Sequence, residues 1–177
     1  MKASLALLFA LIPASVIAQD KPTATAAAPG CGTENIKFEV KTDRSQHPIG
    51  KPDAGKALVY FLQDDTDYGS IPRPTTRFGL DGNWIGATQS NAYFYVSVDP
   101  GEHHVCAGWQ TFVNANTGQK SAAAHFTAEA GGAYFFIVHD HFLENHGPAG
   151  MTFSPVDSDE AQLLMSKFGF STSHPRK

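Results

Sequence analysis

Short apolar stretches, separated by clusters of Gly, Pro, Asn and Asp, run along the chain from Lys37 to Val156. Lys37-Phe38-Glu39-Val40 alternates and predicts a first strand, and the polar, Gly- and Pro-bearing stretch 42–56 predicts a loop. Ala57-Leu58-Val59-Tyr60-Phe61-Leu62 is unbroken, branched and aromatic, the pattern of a strand covered on both faces. After a polar loop over 63–74, residues 77–80 lead into Asp81-Gly82 and then Trp84-Ile85-Gly86. Asp-Gly between two such runs predicts a tight hairpin, because both residues tolerate positive φ. In 91–98, Phe94, Val96 and Val98 share one face, and Tyr93, Tyr95 and Ser97 the other. Asp99-Pro100-Gly101 is a turn. Strands are then predicted over 103–113, with Val105, Ala107 and Trp109 on one side, and over 122–128, 133–138 and 151–156. Polar turns at 114–120, Gly131-Gly132 and 144–150 separate them.

The period changes near the end. Ala161, Leu164, Met165 and Phe168 form one helical stripe over 157–168. Asp157 is placed to cap it with Glu160 as the partner of a capping box; Lys167 suits its last turn, and Gly169 suits its end. Many close-spaced strands and one late helix predict an all-β fold, an antiparallel β-sandwich of immunoglobulin-like or transthyretin-like layering with one short C-terminal helix. No long-period repeat points to a solenoid or propeller.

The N-terminal residues bear on the compartment. Met1-Lys2, the apolar run 5–12 and the small residues ending at Ala18 form a secretory leader pattern over 1–18, with an uncleaved anchor as the alternative. The run is shorter than the roughly 20 residues of a spanning helix, and no later stretch is apolar enough to cross a bilayer. Lipidation at Cys31 is a further alternative, but such a site normally follows the apolar run directly. Residues 19–30 read as a flexible linker, leaving 31–177 as a single domain. The expected location is the periplasm or cell envelope. The net charge is −4 without a basic stripe, which argues against a nucleic-acid partner. His174-Pro175-Arg176-Lys177 reads as a solvated tail. Cys31 and Cys106 predict a disulfide in an exported chain; the alternative, a metal-binding or catalytic thiol, has no second Cys at metal spacing.

Several of these motifs, taken in order, resemble a bacterial exported family called domain of unknown function 2846. They are Gly55-Lys56-Ala57-Leu58-Val59-Tyr60, Leu80-Asp81-Gly82 with Trp84-Ile85-Gly86, Asn91-Ala92-Tyr93-Phe94, Asp99-Pro100-Gly101-Glu102-His103 and Glu129-Ala130-Gly131-Gly132-Ala133-Tyr134-Phe135. The resemblance covers about 55–138 and implies an envelope β-sandwich without carrying over any catalytic residue. The cysteine pair, the histidine-rich loop and the C-terminal helix depart from it.

Three groups are candidates for chemistry. His139 and His141 share a side of one strand, His146 follows in the next loop, and His103-His104 begin another strand. Three imidazoles would suit zinc or copper, with Asp140 or Glu144 orienting a ring; the plainer reading is of loop and strand-end histidines without a common focus. Trp84, Tyr93 and Tyr95, with Trp109, are candidates for a face that grips a glycan or peptide, Trp84 being the most exposed; the alternative is that they fill the core. The carboxylates Asp64-Asp65 and Asp157 with Asp159 are read as solvated or dipole-matched. No nucleophile elbow, zincin motif, phosphate loop or dinucleotide fingerprint occurs. The expected function is a non-catalytic accessory or binding module, with an unknown envelope protein or glycan as partner and no cofactor; a histidine-based zinc or copper protein is the alternative.

Overall fold

A computed structural model of the chain describes residues 30–32, 35–69, 72–110, 120–142 and 149–177. The leader-like segment and nearly all of the linker lie outside these residues. The described chain is mostly strand, in two sheets with one helix. The strands are β1 (Phe38–Asp43), β2 (Ala57–Asp64), β3 (Thr75–Leu80), β4 (Asn83–Gln89), β5 (Ala92–Val98), β6 (Gly101–Trp109), β7 (Ser121–Ala128), β8 (Ala133–His141) and β9 (Gly150–Pro155). The helix α1 (Ser158–Met165) and a final strand β10 (Gly169–Pro175) complete the chain. One sheet has the order β1-β10-β5-β2-β8-β9, the other β4-β3-β6-β7.

The unbroken apolar character of β2 has a direct cause: it lies inside the larger sheet and is covered on both faces. Val59 and Phe61 enter a core shared with Phe78 and Val105 of the smaller sheet. Leu58, Tyr60 and Leu62 enter a second core roofed by Ala161 and Met165 of α1. In β5, Phe94 and Val98 face the first core and Tyr93 the second, as the alternation requires. The Asp81-Gly82 hairpin forms with both residues at positive φ, 47° and 79°.

Two expectations are corrected. Pairing is antiparallel throughout the smaller sheet, but the larger one is mixed: β2 runs parallel to β8, and β10 parallel to β5. The chain leaves β9 at one edge of this sheet and α1 lies in the connection that returns it to β10 beside β5. The basic end is also not simply a tail. It continues β10, which pairs with β1 from Phe38↔Pro175 to Asp43↔Phe170 and is followed by a bond from Arg176 N to Lys37 O. Gly169 starts this strand because a Cβ there would run into Thr42 and the Asp43 carbonyl.

Asp157 caps α1 in an extended conformation, its carboxylate accepting from Asp159 N at 2.8 Å. The helix is shorter than its apolar stripe. It ends at Met165, so that Lys167 stands beyond the last turn and Phe168 closes the second core from the connection to β10. Asp157→Ala is expected to cost about 1 kcal/mol, read as a lower urea midpoint with unchanged slope.

The two sheets approach each other differently along their two sides. Ala87 of β4 donates its N–H to Ser173 Oγ at 2.9 Å and accepts from Ser171 Oγ at 3.0 Å, so serines of β10 stitch this seam. On the other side, β7 and β9 are the edges of their sheets and neighbour each other without a shared ladder.

Candidate functional site

The histidines are dispersed. His139 and His141 do share a side of β8, where His139 Nδ1 lies 3.4 Å from Asp64 Oδ2. This contact is the largest influence holding Asp64 down to about 2, and it raises His139. His103 sits at the far end of the domain, bonded through Nδ1 to Asp81 at 2.6 Å and through Nε2 to the Asp99 carbonyl at 2.7 Å. It lies six residues from Trp109 on β6, about 20 Å along a strand, and the Trp109 indole touches Asp140, between His139 and His141. His104 faces His125 of β7 instead. The structure therefore does not bring His103 or His104 to His139 and His141, because strand ends on opposite sides of the molecule carry them. His146 and Glu144 lie outside the described residues. Among the described residues no three His, Cys, Asp or Glu side chains are grouped to hold a metal, and no metal centre is assigned to these histidines.

The aromatic candidates are dispersed too. Tyr93 is fully buried in the second core, its hydroxyl donating to the Pro48 carbonyl at 3.0 Å. Tyr95 is half-buried against Tyr60 and Phe170. Trp84 belongs to the other sheet. Rather than being the exposed aromatic, it is half-buried under the Arg77 guanidinium, 4.2 Å from the ring centroid. Trp109 is fully buried. Core filling and a cation–π stack account for them.

Two features stand out instead. The first is a groove of about 320 Å³ at the open seam. Its floor is the start of β8. The β8–β9 register begins only at Phe136↔Pro155, so among the described residues Ala133 to Phe135 have no partner strand on that side, and Val156 N reaches the Phe135 carbonyl. Phe126 of β7 and Tyr134 of β8 form an aromatic wall with ring centroids 4.9 Å apart. Exposed His125 stands on one rim and Pro155 with Ser158 on the other. The volume falls at the small end of ligand sites.

The second is a buried polar cluster at the opposite end of the core. The inward positions of β2 run Ala57, Val59, Phe61 and then Gln63; those of β8 run Phe136, Val138 and then Asp140. Asp140 accepts from Trp109 Nε1 at 2.7 Å through Oδ1, and from Gln63 Nε2 at 2.8 Å and Thr76 Oγ1 at 3.3 Å through Oδ2. Gln63 Nε2 also meets Asp65 Oδ1 at 2.9 Å and the Pro74 carbonyl at 3.1 Å, while its Oε1 accepts from Thr88 Oγ1 at 2.6 Å. Asp65 and Asp140 are 0% and 1% exposed. Burial first, then the neighbouring Asp140 charge, push Asp65 up to about 8. Burial raises Asp140 as well, against the hydrogen bonds it accepts. Asp65 is thus not the solvated loop carboxylate its sequence neighbours imply. The signal that could have found the cluster is the same alternation that places the apolar core: carried one step further on β2 and β8, it points Gln63 and Asp140 inward.

The cysteines meet as expected: Cys31 and Cys106 are disulfide-bonded across a sequence separation of 75, with their Cα atoms 5.3 Å apart. Gly79 has no side chain because Gly30 and Cys31 pass directly over it. No helix among the described residues is long and apolar enough to cross a membrane. Comparison of the chain with protein-family models, curated proteins and solved structures finds no match.

Proposed function

We propose that this chain is an exported, non-catalytic accessory or binding module of the cell envelope, a layered β-sandwich that receives its ligand in the groove between β7 and β9. The single observation that carries the reading is the asymmetry of the two seams. One is stitched by Ser171 and Ser173, whereas among the described residues the other stands open over an aromatic wall with an unpaired stretch of strand for a floor. A floor with spare main-chain groups and an apolar wall suits an extended peptide or a glycan, which need both. The disulfide supports an oxidising compartment, in line with the leader-like start and with the exported family the motifs resemble. The most strongly perturbed carboxyl, Asp65, is sealed from solvent with its partner Asp140, and a group that must exchange protons with a substrate has to reach it.

Ala133 is exposed and lines the groove, so Ala133→Arg fills it without entering the core. Immobilised wild-type protein and this variant are exposed to envelope extract and to a panel of envelope glycans. A ligand retained by wild type is expected to weaken at least about tenfold in Ala133→Arg and to be unaffected by Thr172→Arg, an exposed position on β10. Equal retention by wild type and Ala133→Arg would remove the groove from the account.

A further inference from the structure

We propose that Asp65 and Asp140 share one proton, and that this proton latches the two sheets together at their end of the core, so that the domain is held most tightly in acidic surroundings and loosens steadily as they turn neutral and then mildly alkaline.

The acceptors are four carboxylate oxygens and the Pro74 carbonyl. Facing them are the two hydrogens of Gln63 Nε2, the indole N–H of Trp109 and the hydroxyl of Thr76. The Thr88 hydroxyl is spent on Gln63 Oε1, and Arg73 Nη1 on the main-chain carbonyl of Asp65 at 2.9 Å. Asp65 Oδ2 is left as a buried oxygen without a donor among the described residues. Gln63 Nε2 lies within hydrogen-bond distance of both carboxyls, 2.9 Å from Asp65 Oδ1 and 2.8 Å from Asp140 Oδ2, so the two acids converge on one donor. A proton on Asp65 Oδ2 gives that orphaned oxygen a hydrogen and leaves a single charge on Asp140, the member that already collects donors from three side chains. A second charge would lack any such support.

The surroundings add little that competes. Arg73, from the β2–β3 connection, is the charged group facing the pair, with its guanidinium committed to the Asp65 carbonyl. Tyr68 is the other titratable neighbour; burial, then the Asp140 and Asp65 charges, push it up to about 12, and its hydroxyl has no partner among the described residues. Trp109 of β6, Thr76 of β3, Thr88 of β4 and Asn91 before β5 are neutral. On β8, His139 and His141 project from the opposite face, and His139 is engaged with Asp64.

The latch is physical because the cluster joins both layers. Asp140 belongs to the larger sheet and holds Trp109 and Thr76 of the smaller one, while Gln63 of the larger sheet holds Thr88 of the smaller. In the native state Asp65 keeps its proton up to about pH 8, whereas the unfolded chain releases it near 3.8. Between those values unfolding releases a proton, so the unfolding constant rises about tenfold per pH unit and stability falls as pH increases. His103 and His139 are also raised and contribute in the same direction: what they add is complete below 6.5 and lost as pH passes their folded values. A variant is needed to separate the contributions.

Asp65→Asn keeps the shape and replaces the acid proton with an amide N–H that does not titrate. In urea unfolding of the full chain between pH 5 and 9, wild type should lose close to one further proton's worth of slope relative to the variant. Asp65→Asn should be the more stable of the two at pH 9. Parallel pH profiles would overturn the proposal. Should the variant fail to fold, infrared spectroscopy of wild type in heavy water near neutrality decides it: a protonated carboxylic acid stretch is expected, and its absence overturns the proposal.

Discussion

Replacing Cys31 with Ser together with Cys106 with Ala is expected to lower stability by about 4 kcal/mol, roughly the chain-entropy value for a loop of this size. The bridge spans a sequence separation of 75, so it removes much of the freedom of the unfolded chain. Its native role is local. Cys106 is a fully buried residue on β6, an interior strand of the smaller sheet, and the bridge holds Gly30 and Cys31 against the outer side of Gly79. Guanidinium unfolding of the oxidised wild type and the double variant measures the difference. A loss below about 1 kcal/mol would mean that native contacts of the segment, not the crosslink, carry its anchoring. Mass spectrometry of the purified, unreduced protein should find the pair joined and no free thiol.

Asp140→Asn is expected to be damaging as well, at about 1–3 kcal/mol for the buried donor it leaves unsatisfied. Asp140 gathers hydrogens from Trp109, Gln63 and Thr76. An asparagine there has one acceptor oxygen, and its amide hydrogens must confront at least one of those donors. Asp140 is 1% exposed, so bulk water does not reach the side chain to relieve the clash. The same chemical change at Asp65 is benign because that position needs a hydrogen rather than losing one. The pair of variants, compared by denaturation at pH 7, should therefore separate widely even though the two carboxyls share one cluster. Similar losses in both would break the assignment of roles.

Much of the layout was legible where one local rule decides. The β2 run, the Asp81-Gly82 hairpin, the faces of β5 and the Asp157 cap depend on neighbours within a few residues, and they stand as the pattern predicts. What escaped depends on which distant segments meet. Gly169–Pro175 carries serines where an apolar pattern would be sought, yet Ser171 and Ser173 are needed as hydrogen-bonding groups against Ala87. Parallel pairing of β2 with β8 joins segments that no turn connects. The histidines formed a tempting cluster in one dimension, but alternation and strand length carry them to different faces and ends. The reverse holds for Gln63, Asp65 and Asp140, which look ordinary in the chain and acquire their character from burial.

The union of β1 with β10 has a consequence for how the molecule comes into being. In its sheet β1 has β10 as its strand neighbour, and the ladder couples Phe38 to Pro175. A chain emerging from its amino terminus cannot settle its first strand until the last has been delivered. Completion is thus a closing event, slowed by the long loop it must gather.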